Sequence, residues 1–530
     1  MERCEILIGG KAGQGPNVLS EVFAQGLINF GYFVFYSRDY QSLIRGGHNF
    51  NQINFSDKPV NSNCSKADVL ICLDDATLGL HKKDLANKGI VVNFVQGKGN
   101  MYYAGILFKI FGLGFENLKS ELKKLNKFDE NIKDAKEGYD VETRKMNVVS
   151  GGKKKNFVLA NGSDAVASAA IKSGLDIYYA YPMTPATPVM MKLGQRSLEH
   201  SSKYRVIEVE NEIAVALAGA GSSVVGKRVM VGTSGGGFDL MAESLSFVAM
   251  AEIPLVFYLT QRPGPGTGVA TYTSQGDLNL ALHTGHGEFF RLVVAPGDND
   301  ESIKLTNDAF YFSHKFRIPS IILNDKHIAE SGYFFDEKES MKKIKEIKSS
   351  VKVGERFNSY ESDKSMDSVA TEDAKVIKEN FEKRMKKVKE IIKEASKFER
   401  VKVYGNTRKG VPSIGDYSNL KNITGNKSQN LIISWGSTKG AILDAISDGK
   451  LDVKFVQILY MSPFPAKEVK NLIDKAKRVL VVENNSESPL SRLVAEQTGF
   501  IVEDKNKILR YDGRPFFSDE LAEEIRRRIK

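Results

Sequence analysis

DIYYAYPMTPATP (176–188) decides how this chain folds. A β-rich run from Ile177 to Tyr181 meets Pro182, whose missing N–H and fixed φ stop a strand. Thr184, Pro185 and Thr187 follow, and a helical pattern begins near Val189. The same order of strand, polar loop and helix recurs downstream. VIEVENEIAVALAGA (206–220) gives a short strand, the acids Glu208, Glu210 and Glu212, and an Ala-rich helix. RVMVGTSGGGFDLMAESL (228–245) sets a strand, Val229 to Gly232, before Thr233, Ser234 and the glycines 235–237. PLVFYLTQRPGPGTG (254–268) is a buried-type strand, Pro254 to Thr260, ending on Gln261 and Arg262. Strands separated by helices predict parallel βαβ units, and in such sheets ligands lie outside the strands' carboxyl ends. Thr184, Glu212, the Gly235 loop and Arg262 all follow strand ends, so they are expected to converge if these strands are neighbours.

The whole chain, 530 residues, predicts an α/β protein of three or four domains. Its 42% hydrophobic and 26% charged residues fit a globular protein, and no apolar run approaches the length of a membrane span. The start, MERCEILIGGKAG, carries Glu2 and Glu5 and enters a strand directly, so a signal peptide is not expected and a cytoplasmic location is. Cys4, Cys64 and Cys72 have no CxxC spacing and cannot supply an iron–sulfur cluster. The net charge of +10 gathers in lysine runs at 153–156 and 342–402, which read as solvated surface or as an attraction for an acidic partner. No helix-turn-helix or aromatic RNA-binding motif accompanies the charge, so nucleic acid is not an expected partner.

Residues 1–145 read as a first, Rossmann-like domain. CEILIGG is a strand, KAGQGP a glycine loop, and NVLSEVFAQGLINFG an amphipathic helix. Gly10, Gly13 and Gly15 sit where backbone N–H groups can face a phosphate. A dinucleotide fingerprint also needs an acid closing the second strand, and Asp39 comes late. A tight turn packing helix on strand is therefore preferred over NAD binding. RGGHNFNQINFSDKPVNS (45–62) is a glycine turn and a β pattern, with His48 read as a hydrogen-bonded structural residue.

YPMTP (181–185), ENEIA (210–214), GTSGGG (232–237), QRPGPGTG (261–268), SQGDL (274–278) and HGEF (286–289) together resemble the α subunit of 2-oxoacid:ferredoxin oxidoreductases. These are thiamine diphosphate enzymes that oxidise 2-oxoacids to acyl-CoA. GKAGQG, YSRDYQSLIRGGHN and KADVLICLDD are similar to the γ subunit of the same family, which contains both separate γ subunits and γ–α fusions. The resemblance implies a fusion: a γ-type domain at 1–145, a charged linker from about Asp134 to Asn156, and a pyrimidine-type domain at 157–335. A helical connector at 336–425 and a transketolase C-terminal-like α/β domain at 428–530 follow. In the second domain Ser163 or Asp164 is the expected cap of an Ala-rich helix, and in the last domain Ser518. Ile377, Phe381, Met385, Val388 and Ile392 give the connector helix one apolar face. The acidic patch SYESDKSMDSVATED (359–373) lacks the histidine common in relatives.

Thiamine diphosphate acts through a C2 carbanion, formed when a carboxylate on N1′ favours the imino tautomer. Position alone leaves Glu210 and Glu212 open. The resemblance assigns Glu212, and adds Tyr181, Pro182, Ser234 and Gly235 as cofactor contacts. It assigns Arg262 and Thr184 to the substrate carboxylate, which suits a guanidinium fork and a hydroxyl. Met183, Ala186 and Thr187 are candidates for shaping the substrate pocket. 2-Oxoglutarate is the favoured substrate, then pyruvate, although YPMTPATP holds no base for a second carboxylate.

The diphosphate half of such a site needs Mg²⁺ and a GDG…N element. The one near match is GDND (297–300), and HTGH (283–286) lacks a third ligand. In the family that half and the cluster lie on a β subunit, so the resemblance implies a β subunit carrying Mg²⁺ and a [4Fe–4S] cluster, in an αβ or (αβ)₂ assembly. CoA would be the co-substrate and ferredoxin the electron acceptor. The alternatives are a nucleotide-binding oxidoreductase built on the Gly10 loop, and a scaffold with no catalysis.

Overall fold

The computed structural model describes residues 3–41, 47–146, 157–199, 203–352, 371–405 and 429–529. Arg45, Gly46, Lys153, Lys154, Lys155 and most of the 359–373 patch lie outside them.

Five strands begin the first sheet: β1 (Cys4–Lys11), β2 (Phe33–Asp39), β3 (His48–Ser56), β4 (Ala67–Cys72) and β5 (Leu85–Val92). Their order is β5-β4-β1-β3-β2, with β3 antiparallel between β1 and β2. A dinucleotide fold sets the second strand beside the first. Here β3 displaces it, and Asp39 at its end faces Lys326 and Arg514, 3.8 and 3.6 Å away. His48 shares a hydrogen bond with His81, Nε2 to Nε2, at 2.8 Å. The stretch read as a linker from Asp134 begins inside a helix, Phe128–Val141. Its glycine packs rather than bends the chain, because a Cβ at Gly138 would stand 1.9 Å from the Tyr102 carbonyl oxygen. Gly105 meets the Ala135 carbonyl in the same way, so the two helices cross backbone to backbone.

β6 (Val158–Ala160) leads into the helix Gly162–Ser173. Asn161 caps it in a reciprocal box with Asp164, while Ser163 donates to the Ala329 carbonyl at 2.8 Å. The second sheet follows: β7 (Ile177–Ala180), β8 (Arg205–Glu208), β9 (Val229–Thr233), β10 (Leu255–Gln261), β11 (Leu292–Val294) and β12 (Pro319–Asp325). They lie β11-β12-β10-β9-β7-β8, every pair parallel. β13 (Gly332–Phe335) then returns to the first sheet, pairing with β2 on one side and β6 on the other.

The third sheet contains β14 (Val401–Gly405), β15 (Asn430–Trp435) and β16 (Lys454–Ile458). After β17 (Tyr460–Ser462), which leaves to pair with β11, it continues with β18 (Arg478–Glu483) and β19 (Lys507–Leu509). Its order is β14-β16-β15-β18-β19. The strand β14 comes from the stretch read as connector, and helix Ser518–Ile529 begins on the expected cap residue itself. Ser518 docks by donating its main-chain N–H to Asn63. Phe257, Val293, Trp435 and Met461 belong to one apolar core that runs through the second and third sheets.

The connector helix, Ala374–Ala395, does not bury its expected apolar face. Ile391 and Ala395 are buried, whereas Ile377, Met385 and Ile392 are 40–46% exposed. Polar contacts choose the face: Lys387 pairs with Glu252, and Tyr311 donates to Glu394 at 2.7 Å.

GDND has a structural task. Asp298 caps the helix Asn299–Phe316 and pairs with Lys439. Glu301, one turn on, accepts from Lys439 at 2.6 Å, Lys402 at 2.9 Å, Gln457 at 2.6 Å and the Gly297 N–H at 2.7 Å. Lys402, the end of a lysine run read as solvated, is thus drawn into a buried ion network joining the second and third sheets. Burial opposes charge on Glu301, but Lys402 and Lys439 outweigh it and hold the carboxyl well below its ordinary range. Its stabilisation is present above the unfolded pKa, roughly pH 4.3, and is lost as pH falls below that. Glu301→Ala leaves Lys439 with Asp298 alone and Lys402 with only the distant Glu399, and is expected to cost about 3 kcal/mol, read from urea melts near neutral pH.

Candidate active site

Parallel pairing of β8-β7-β9-β10 delivers four carboxyl ends to one edge, and the expected residues follow them. Helix Glu212–Val224 starts behind Asn211, whose side chain accepts from the Ala214 N–H at 2.9 Å. That cap fixes Glu212 in the first turn. Glu212 is 3% exposed and its Oε1 is buried without a hydrogen-bond partner. Glu208 and Glu210 face solvent. Of the acids on this loop, Glu212 alone is enclosed.

β9 ends in Thr233, and Ser234 turns the chain into the helix Gly235–Leu240. The Ser234 hydroxyl is buried and also lacks a partner. The glycines are required by what presses on them. A Cβ at Gly237 would stand 2.7 Å from Glu212 Oε1 and 2.2 Å from Thr233 Oγ1. A Cβ at Gly235 would stand 2.5 Å from Asp277 Oδ2, a third buried oxygen without a partner. Three unsatisfied buried oxygens around one glycine turn mark a place built for a ligand, since each costs about 1–3 kcal/mol when unpaired.

Arg262 follows β10 and donates from Nη1 to the Thr184 carbonyl at 2.7 Å. Two residues 78 positions apart are thereby brought together, with Thr184 half-buried. Among the described residues Arg262 has no ion-pair partner; burial lowers its pKa and Asp277 acts against that. Tyr181 and Pro182, between β7 and Thr184, are exposed on the same edge, and Ala186 is buried below it.

Asp277 was not distinguished by its sequence. It holds the position of a helix cap before Leu278–His283 but makes no cap bond, its carboxyl turning to Gly235 instead. Gln275, in the same SQGDL motif, is buried. It donates to the Trp435 carbonyl at 2.8 Å and accepts from the Asn484 N–H at 2.9 Å. It thereby fills the crevice at the ends of β15 and β18, where an α/β domain would otherwise take a ligand.

A second cavity, of about 280 Å³, lies at the carboxyl ends of β1 and β4. Gly13, Gln14, Gly15, Lys98, Asn100 and Tyr103 line it. Helices Pro16–Phe30 and Asn100–Ile110 both start there, behind Gly15 and Gly99, and neither has a side-chain cap. The uncapped helix starts give it the chemistry of a phosphate site, with Lys98 at its rim paired to Glu137 at 2.5 Å. Among the described residues no three potential metal ligands stand together. His283 is exposed, and the His286 N–H is bound by Ser246 Oγ at 2.9 Å.

The outer surface beside Glu212 is apolar. Helix Glu212–Val224 carries no charge beyond its first residue, and Ile213, Leu217, Leu240, Phe247 and Met250 are 40–52% exposed. A helix apolar on every side is a helix to be covered.

Residues 168–397 match the family model described as pyruvate flavodoxin/ferredoxin oxidoreductase, thiamine diP-bdg. Residues 5–94 match pyruvate ferredoxin/flavodoxin oxidoreductase. The α subunit of a Sulfolobus 2-oxoacid:ferredoxin oxidoreductase is 28% identical, the alignment covering 100% of this chain and 97% of the relative. The 2-oxoglutarate synthase subunit KorA of Archaeoglobus fulgidus is 34% identical over 33% of this chain and 50% of its own length. The solved 2-oxoglutarate:ferredoxin oxidoreductase of Magnetococcus marinus superimposes with a TM-score of 0.84 at 21% identity over 100% of both chains, a likeness of fold. No described helix is long and apolar enough to cross a membrane. Gly237→Ala is expected to push the Glu212 carboxylate and the Thr233 hydroxyl aside, lowering turnover at least ~10-fold and destabilising the fold by about 1–3 kcal/mol, read from activity assays and urea melts.

Proposed function

Because the chain belongs to the 2-oxoacid:ferredoxin oxidoreductase family as an α subunit with a γ-type domain ahead of it, we propose that it supplies the pyrimidine half of a thiamine diphosphate site. The observation that carries this is the buried, partnerless Glu212 carboxylate at the edge of four parallel strands. Glu212 would hold N1′ of the aminopyrimidine, while the Gly235–Gly237 turn lets that ring approach main chain and Ser234. Thiamine diphosphate held there would supply a carbanion nucleophile for the 2-oxo carbon. Arg262 and Thr184 orient the substrate carboxylate, Arg262 by its guanidinium fork and Thr184 by its hydroxyl.

The reaction proposed is oxidative decarboxylation of a 2-oxoacid with CoA to acyl-CoA, CO₂ and reduced ferredoxin. 2-Oxoglutarate is favoured over pyruvate, supported by the names of the KorA relative and the Magnetococcus enzyme. The cavity at Gly13–Gly15 suits the phosphates of CoA, and that use supersedes an NAD reading because β3 separates β1 from β2. A β subunit would bring Mg²⁺, the diphosphate site and a [4Fe–4S] cluster. The apolar face around Leu217 and Phe247 is where it would seat. We propose an αβ or (αβ)₂ complex working in the cytoplasm.

Co-purification with a smaller CxxC-bearing partner, followed by CoA-dependent viologen reduction with each 2-oxoacid, tests this. The isolated chain is expected to be inactive. Glu212→Gln should lower kcat about 10²–10⁴-fold in the complex, the range for loss of an acid–base group. Arg262→Ala should lower kcat/KM for the oxoacid at least ~10-fold. A complex without thiamine diphosphate and without oxoacid-dependent turnover would end the proposal.

A further inference from the structure

Asp277 and Arg262 are opposite charges held near one another without an ion pair. Asp277 is fixed from behind, its N–H donating to Gln261 Oε1 at 2.9 Å. Gln261 is fully buried, donates its own amide to the Asn324 carbonyl at 3.1 Å, and directly precedes Arg262. One buried glutamine therefore sets the place of both groups. In front, the Asp277 carboxyl presses on Gly235, with Oδ2 buried and unpartnered. The charged groups facing Asp277 are Arg262, on the loop after β10, and Asp239, on the helix after β9. Glu212 stands across the glycine turn, against Gly237. Among the described residues no lysine acts on Asp277 and no donor satisfies Oδ2.

Resting on the 2-oxoacid reading of this site, we propose that Asp277 is a positioning residue for Arg262 and takes up a proton when the substrate carboxylate binds there. Arg262 is the nearest charge that favours an ionised Asp277. A substrate carboxylate on Arg262 neutralises that help, adds a like charge and excludes water, all of which disfavour the Asp277 anion. Burial and Asp239 already push this carboxyl up to about 6 against the pull of Arg262. The unpartnered Oδ2 is the atom that would carry the proton, which comes from solvent. The sign follows: a group whose pKa rises on binding makes binding tightest below its free pKa and weaker as pH rises through it. Affinity for the 2-oxoacid anion should therefore be greatest near or below pH 6 and fall toward pH 8.

The test uses the assembled complex loaded with thiamine diphosphate, and two unreactive probes. These are oxamate and N-oxalylglycine, amide isosteres of pyruvate and 2-oxoglutarate. Calorimetry in buffers of different ionisation enthalpy counts protons taken up on binding. The wild-type complex is expected to take up a substantial fraction of one proton near pH 7, with Kd weakening at least ~5-fold from about pH 6 to about pH 8. Asp277→Asn should bind with no uptake and less than a ~2-fold change over that range, and Asp277→Glu should restore uptake. If Asp277→Asn does not assemble, Asp239→Asn serves: removing that exposed charge should move the midpoint to lower pH. Equal proton uptake by wild type and Asp277→Asn, or a midpoint unmoved in Asp239→Asn, overturns the inference and leaves the oxoacid site standing. Failure of both probes to bind, or an unchanged Kd in Arg262→Ala, overturns the oxoacid site itself and this inference with it.

Discussion

Parallel pairing is the constraint from which the site follows. A parallel strand cannot return to its neighbour by a short turn, so each crossover brings a helix back over the sheet and every strand ends on the same edge. β7 pairs with β8 on one side and β9 on the other. That order, not the chain order, brings the Glu212 loop and the Ser234 turn to flank the Thr184 loop. Arg262 then needs only to extend from β10 to reach the Thr184 carbonyl. The polar groups there are costly to folding, since Glu212, Ser234 and Asp277 each bury an oxygen that nothing among the described residues satisfies. The surrounding sheet offsets that cost with continuous apolar strands such as β10, every residue of which is buried.

The three sheets are not separate bodies. β6 and β13 finish the first sheet, β17 finishes the second, and β14 opens the third from a stretch that reads as connector. Buried charges sit at the seams: Glu301 with Lys402 and Lys439 at one, Arg38 and Tyr40 on Glu330 at another. Such pairs contribute modestly as net stability, but a slip of one sheet against another would leave them unpaired, which costs much more. They favour one arrangement of the domains, and hence one distance between the Gly13–Gly15 cavity and the Glu212 edge.

Much of this was legible from local pattern. The βα units around 176–268 are each written in a run of apolar residues followed by turn chemistry, so their strands fall within a residue or two of the reading. Glu212 could be singled out by motif; its enclosure could not, because that depends on Gly237 and Thr233 packed on it. What was not legible depends on partners far away in sequence. Gly138 looks like a linker glycine until Tyr102 is packed on it. GDND looks like half of a metal motif until Lys439 and Gln457 arrive from 140 or more positions on. The stripe on the connector helix predicted a buried face that Lys387, Glu252 and Glu394 do not grant. Asp277 looks like a helix cap, and only Gly235 shows that its carboxyl is aimed elsewhere.

The strands β6 and β13 carry one more consequence. They cover the open edge of β2, so the first sheet ends on hydrogen bonds supplied by the second unit. The first unit made as a chain of its own would leave that edge bare, and would have to find two matching strands on another molecule. Joined in one chain, the same strand addition becomes intramolecular, at an effective concentration on the order of millimolar. One continuous chain therefore turns a step of assembly that depends on protein abundance into a step of folding that does not.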